Sequence, residues 1–384
     1  MTIQTVDWLA REALLILQSN MVATLLYDRQ YEADFTGTEA RGDTIRIRRR
    51  DRGNAQEFTG TIVSRGLEES KLDLVLEKHY DASFEITSKE ATLDLDSFSE
   101  QVIEPQVVSI AELVDAFALS KINDLPNNAG VDGAGAPLAF ATTIGDVANY
   151  RKVLNELKTP MRGRQAIWSP TADANLLGIA SFVEADKKGD DGTALAEASI
   201  GRVLGFDHWM AQNVDETALV TQDGDTAVVD SALAPLPVGT LAIPVDGANG
   251  ASVVFADKST VQIDGINYTV DGDATMALSA GTITILEGLK TEVADGAAVS
   301  TPYAVSDNFF PRGAMFHPRA FAFVSVPLEI PPGAEGATIT ANGYSIRIVR
   351  DYEITSKKSI ISLDTLVGSR VVDGSLGAKV VTAT

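Results

Sequence analysis

The sequence predicts an α+β protein that carries a small all-β module within it. Apolar residues recur at helical spacing in stretches of the first half, at 7–26, 103–117 and 143–158. Around residues 44–48 and 72–76 they alternate with the two-residue period of strands. From 217 to 305 helical periodicity gives way to short β-rich runs separated by glycine turns. That change of character sets 217–305 apart from the mixed patterning on either side of it.

The elements follow in order. Leu9, Ala13, Ile16, Leu17, Asn20 and Met21 make residues 7–26 an amphipathic helix without an interrupting glycine or proline. Its apolar face has nothing local to bury it, so it must pack on a distant part of the chain or on a neighbour. Thr44 to Arg48 forms a strand with Ile45 and Ile47 on one face and Arg46 and Arg48 on the other. A glycine-punctuated polar stretch leads to a second alternating run at Leu72, Leu74 and Leu76, continuing toward Phe84 and Ile86. Together they read as an extended hairpin, which alone would be marginal in water.

A long helix comes next, with Ile103, Val107, Ile110, Val114 and Phe117 as its stripe. Ser97 to Glu100 fits a capping box. Pro105 fits better in the first turn of a helix that starts near Glu104. Thr143 and Asp146 cap a further helix over 143–158, buried through Val147, Tyr150, Leu154 and Leu157. A short strand follows over 165–169, then a helix around 172–183 after Pro170, then a charged loop. In the β-rich region, Asp246-Gly247, Asp264-Gly265, Asp271-Gly272 and Asp295-Gly296 mark tight turns. Residues 306–384 return to strands, clearest at 320–326 and 344–349.

Composition narrows the chemistry. The chain lacks cysteine, which removes disulfides, thiolate nucleophiles and cysteine-ligated zinc. His79, His208 and His317 lie far apart in sequence and read as satisfied or surface histidines rather than ligands. No apolar run approaches the roughly 18 residues of a membrane span, and residues 1–7 carry no secretory pattern. The net charge of −22 disfavours general nucleic-acid binding and favours solubility at high concentration. Thirteen acids against two bases between Asp215 and Asp295 supply half of it, a net of −11. Arginine gathers early, at Arg41, Arg46, Arg48, Arg49, Arg50 and Arg52. A guanidinium cluster flanked by Asp43 and Asp51, without interleaved aromatics, suits carboxylates of a protein partner better than DNA.

A catalytic constellation is not legible. The glycines from Gly130 precede no phosphate-loop lysine, and there is no nucleophile elbow. Asp223-Gly-Asp225 and Asp271-Gly-Asp273 lack the further oxygen ligands of a calcium loop and read as turns. The expectation is no enzyme, no cofactor and no metal.

Several segments, in order, carry a resemblance. They are Leu9-Ala-Arg-Glu-Ala-Leu-Leu-Ile-Leu17 with Arg29-Gln-Tyr31, Gly42-Asp-Thr-Ile-Arg-Ile-Arg48, and Lys78-His-Tyr-Asp-Ala-Ser-Phe-Glu-Ile-Thr87. Ile200-Gly-Arg-Val-Leu-Gly-Phe-Asp207 with Gln212-Asn-Val214, Phe316-His-Pro-Arg-Ala-Phe-Ala322 and Ser345-Ile-Arg-Ile-Val-Arg-Asp351 complete the set. With the order of elements, the chain resembles major capsid (coat) proteins of tailed double-stranded DNA phages, of HK97-like fold. More specifically, it resembles the Salmonella-podovirus coat type, which has an inserted β domain.

The resemblance implies an N-arm (1–40), E-loop hairpin (41–78), P-domain strands and spine helix (79–142), A-domain (143–216), inserted domain (217–305) and closing A- and P-domain strands (306–384). It implies pentamers and hexamers of this chain in an icosahedral shell, enclosing DNA without sequence-specific binding. Scaffolding and portal proteins are the implied partners, with assembly in a bacterial cytoplasm, the virion as destination and no membrane. The acidic insertion would sit on the outer surface. The first lysine, Lys71, lies beyond the hairpin tip, so the covalent cross-link of some HK97-like shells is not expected. Expected subunit-interface residues are Leu9, Ile16, Leu17, Ile45, Arg46, Ile47, Arg48 and Arg50, the apolar ones covered by neighbours at about 25 cal/mol per Å². Alternatives are an encapsulin-like cellular nanocompartment shell and a ligand-binding β-domain protein.

Overall fold

The computed structural model describes residues 6–31, 44–48, 57, 71–87, 103–133, 135–184, 198–219, 227–231, 235–246, 253–276, 280–303 and 309–383. The N-terminal helix α1 spans Val6–Asn20, and a single turn, α2, follows at Ala23–Leu26. The expected continuous helix breaks at Met21 and Val22. The cause comes from far along the chain: the Asp115 carboxylate accepts the backbone N–H groups of Val22 (3.1 Å) and Ala23 (2.8 Å). It satisfies donors that open a new helix and would otherwise be orphaned.

The hairpin forms where expected. β1 (Thr44–Arg48) pairs antiparallel with β2 (Lys71–Val75), Thr44 opposite Val75 and Arg48 opposite Lys71. The run toward Phe84 and Ile86 is not its continuation. It is a separate strand, β3 (Lys78–Thr87), which pairs elsewhere. The long helix α3 covers Glu104–Ser120 with Pro105 in its first turn, so the helix starts where the proline is tolerated. The alternative start at Ser97 lies outside the described residues. Ile103, Val107, Ile110, Val114 and Phe117 are all buried, as their spacing requires.

Two layers follow. β4 (Asn128–Ala129), α4 (Ile144–Glu156), β5 (Arg164–Trp168), α5 (Pro170–Leu177), α6 (Ala180–Val183), β6 (Arg202–Val203) and β7 (Phe206–Met210) precede the β module. Thr143 and Asp146 make the expected capping box of α4. Ser169 caps α5, with Pro170 at its start. The module holds β8 (Ala227–Val229), β9 (Ala242–Asp246), β10 (Val253–Phe255), β11 (Thr260–Ile263), β12 (Ile266–Thr269), β13 (Ala274–Met276), β14 (Ala280–Thr284) and β15 (Ala298–Ser300). Its main sheet runs β12-β11-β15-β8-β9-β14, and β10 pairs β13. Asp264 and Gly265 both take positive φ, 49° and 75°, between paired Ile263 and Ile266. That is the two-residue hairpin turn which Asp-Gly specifies. The module has its own core, including Ile243, Phe255, Ile263, Tyr268, Ile283 and Val299.

Closing strands are β16 (Phe310–Phe316), β17 (Phe321–Val326), β18 (Glu335–Ala341), β19 (Tyr344–Glu353), β20 (Lys358–Val371) and β21 (Gly377–Thr382). They return to both layers. One sheet runs β4-β21-β16-β5-β7-β6, with a core of Phe140, Tyr150, Trp168, Phe182 and Phe206 against α4, α5 and α6. The other runs β17-β20-β19-β18, and β3 lies along β20 with Lys358 opposite Thr87 and Val367 opposite Lys78. Across this second sheet lies the largest core. There α1 and α3 meet Phe316, Phe321, Phe323, Tyr344, Ile346, Ile348 and Leu363.

Candidate assembly surface

The N-terminal segment is stitched into this chain. The Tyr27 hydroxyl donates to the Ala118 carbonyl at 3.0 Å, and its ring stacks on Phe321 at 4.4 Å. Asp28 N–H donates to Phe321 O (3.1 Å) and Phe323 N–H to Asp28 O (3.0 Å), adding a short bridge beside β17. Gln18 donates to Ala341 O at 2.8 Å, and the Arg29 guanidinium lies over the Tyr344 ring and donates to Asn342 O. Asn342 and Gly343 form another two-residue turn with positive φ.

Leu17 is therefore only 2% exposed, packed in the main core, with Ile16 partly buried beside it. Leu9 lies on α1, but its side chain is outside the described residues. In the hairpin, Ile47 is 3% exposed and packs with Leu74, Ala322 and Val324, with Ile45 partly buried against the same cluster. The expectation that only sister copies cover these apolar positions is thus corrected for Leu17 and Ile47. The sheet β17–β20 offers each a greasy landing within the subunit, a long-range contact that local periodicity cannot reveal. Arg46 and Arg48 face outward from β1, and Arg46 Nε lies 3.4 Å from the Asp73 carboxylate. Arg50 lies outside the described residues.

What remains exposed was not singled out from sequence. Leu15 (63%), Leu25 and Leu113 lie outward on α1, α2 and α3, and Tyr352, Ile354 (77%) and Ile360 mark the β19–β20 tip. A signal existed in α1: Leu14, Leu15, Ile16 and Leu17 are consecutive, so leucine must occupy both helix faces. The tip offered only isolated apolar residues, which are commonplace on surfaces.

Polar side chains hold the layers together. Asp364, buried on β20, receives two bonds from the Arg347 guanidinium and lies 3.0 Å from His79 Nε2 on β3. His208 accepts the Trp168 indole N–H at 2.9 Å, and His317 Nδ1 accepts the Arg319 N–H. All three histidines thus have partners within the fold.

At the seam between module and core, Lys258 Nζ sits 3.0 Å from the Asp124 carboxylate. Burial alone would lower the Lys258 pKa, but Asp124, Asp257 and Asp271 outweigh it and hold it above the ordinary lysine value. Lys379, fully enclosed, donates to the carbonyls of Asn123 and Lys258 at 3.2 Å, and burial pushes its pKa down to about 8. Thr269 donates to Asp124 O (2.8 Å), and Gly374 N–H to Glu287 (2.7 Å). Asp271-Gly-Asp273 does turn chemistry: Asp257 and Asp273 carboxylates accept backbone N–H groups of Gly272 and Asp257. Asp223 and Asp225 lie outside the described residues. Among the described residues, no group of three acids or histidines is placed to hold a metal.

No family model matches the sequence, and no curated protein matches it. Among solved structures, the chain is similar to one titled Mycobacterium phage Che8, with a TM-score of 0.51 and 14% identity over 94% of this chain and 90% of that one. The fold is HK97-like. Chains titled as the capsid of Ralstonia phage GP4 (TM-score 0.48, 9% identity, 93% of this chain and 86% of that one) and the capsid of Cyanophage P-SCSP1u (0.47, 11%, 90% and 84%) align more loosely. In this HK97-like chain the N-terminal helices and hairpin base are seated on the sheet β17–β20. Outward-facing there are the β1 arginines, the second leucine face of the helices, and the β19–β20 tip.

Proposed function

We propose that this chain is a major capsid protein, whose copies assemble as pentamers and hexamers into the icosahedral shell around the double-stranded DNA of a tailed phage. The observation that carries the reading is the HK97-like architecture, matched over 94% of the chain by a structure from a Mycobacterium phage. Its role is by assembly rather than by catalysis. In this reading residues 1–40 are the N-arm, 41–78 the E-loop, 79–142 the P-domain strands with the spine helix, 143–216 the A-domain, 217–305 the inserted domain, and 306–384 the closing strands.

Arg46, Arg48 and Arg50 of the hairpin meet carboxylates of a neighbouring copy, and Leu9 and Ile16 flank a neighbour contact along the N-arm. Individual contacts need only be weak, because ring and shell closure multiply them. Scaffolding and portal proteins assist, and the finished protein resides in the virion after assembly in the host cytoplasm. The cellular-nanocompartment alternative is less favoured, because the whole-chain match is to a phage structure.

Sedimentation of the full-length protein, expressed alone and with its neighbouring phage genes, tests the reading. Capsomer-sized or shell-sized boundaries support it. A 40.7 kDa monomer under every condition refutes it.

A further inference from the structure

Arg370, on β20, is half-buried, and its guanidinium reaches two other parts of the chain at once. Nη1 donates to the Asp73 carbonyl of β2 at 2.6 Å. Nη2 donates to the Leu286 carbonyl, just past β14 of the module, at 2.7 Å. Both acceptors are fixed in their own elements. Asp73 stands opposite Arg46 in the β1–β2 ladder, and Leu286 N–H donates to Thr269 O at 2.9 Å. The adjacent Glu287 accepts Gly374 N–H and pairs with Lys290 at 3.1 Å.

We propose that Arg370 is a positioning residue that couples the hairpin to the β module, so that the module braces the hairpin's inclination against the subunit body. The hairpin strands also rest on the apolar patch around Ile47 and Leu74, with the backbone of Val75 pressed on Gly368, and two residues past β2 Glu77 pairs with Lys121 at 3.1 Å. Apolar contacts are non-directional and tolerate sliding. A planar guanidinium fork does not: its two donors fix the angle between the groups they hold. The charged groups around the fork are the Asp73–Arg46 pair on the hairpin and the Glu287–Lys290 pair on the module. Each carboxylate there already has a basic partner, so Arg370 is left to the two carbonyls. The direction of the hairpin would decide which surface of a neighbour it meets. The coupling itself concerns the single subunit and stands whether or not the shell reading holds.

Hydrogen exchange of the full-length unassembled protein tests it. In R370L, peptides covering 71–75 and 284–289 should exchange roughly tenfold faster or more, since bonds from a charged donor are worth ~1.5–3 kcal/mol, while β5 and β21 stay protected. In an Arg370 background, E287A loosens the module edge and should speed exchange at 71–75. In an R370L background the same change should leave 71–75 where R370L put it. R370K keeps charge and stem but not the fork, and guards against a misfolded R370L: it should fold and still lose the effect of E287A on 71–75. The proposal is overturned if E287A never reaches the hairpin, if R370L disturbs β20 alone, or if R370K retains the full coupling.

Discussion

Lys379 offers a quantitative test of the seam between module and core. Its ammonium is enclosed, 1% exposed, and bonded to carbonyls rather than to a carboxylate. Burial moves its pKa from the ordinary 10.5 to about 8, with Asp124 opposing and Lys258 adding to the fall. Between those values the unfolded chain holds a proton that the folded protein has released. Unfolding therefore takes up protons in this window, and stability rises with pH; below about pH 8 the slope vanishes because both states are charged. The full displacement is worth ~3 kcal/mol. Between pH 7.5 and 9.5 single-site linkage gives about 2 kcal/mol of that. Higher pH is avoided because Tyr150 and Tyr303, pushed by burial to about 12, cost stability as pH rises past the ordinary tyrosine value of 10. Urea unfolding of the unassembled wild type and K379M at pH 7.5 and 9.5 reads the effect. The stability difference between them should move by about 2 kcal/mol in favour of wild type at the higher pH. The constant cost of two orphaned carbonyls in K379M cancels from that comparison. Parallel pH curves would refute a buried, titrating lysine at this seam.

A Cβ at Gly368 would collide with the Val75 carbonyl, so G368A should cost ~1–3 kcal/mol and speed limited proteolysis of the hairpin while β16 and β21 stay protected. Removing the Asp115 carboxylate in D115A orphans the Val22 and Ala23 donors; a loss of ~1–3 kcal/mol in denaturant unfolding is expected, with faster hydrogen exchange at 22–24. Lys71 opens β2 opposite Arg48, in the ladder rather than at the tip, and assembled protein should run as a single monomer band on a denaturing gel. A ladder of covalent multimers would contradict that.

Local signals were legible where a short stretch of chain decides its own shape. The α3 stripe, the Thr143–Asp146 capping box and the Asp264-Gly265 turn are each set by residues within a few positions. The β module announced itself because its strands pair mostly with one another. What stayed hidden depends on residues far apart in sequence. The α1–α2 break is made by Asp115, and β3 finds its partner in β20 near the chain's end. Leu17 and Ile47 carried the right pattern, but amphipathicity says that a face is covered and not by which chain. For the assembly surface, the β1 arginines were visible through alternation. Leu15 left a trace in the consecutive Leu14–Leu17 run, but Ile354 did not, because an isolated exposed apolar residue has no sequence signature of its own. Lys379 reads as an ordinary strand lysine until the module closes over it.

In the proposed role, copies of this chain tile a closed surface. Electron microscopy of the full-length protein, purified after co-expression with the genes that neighbour its own, tests this. Hollow polyhedral particles of uniform diameter are expected, with five- and six-membered rings of subunits in their walls. A field of single compact molecules at every concentration and salt condition, or particles without such rings, would contradict it.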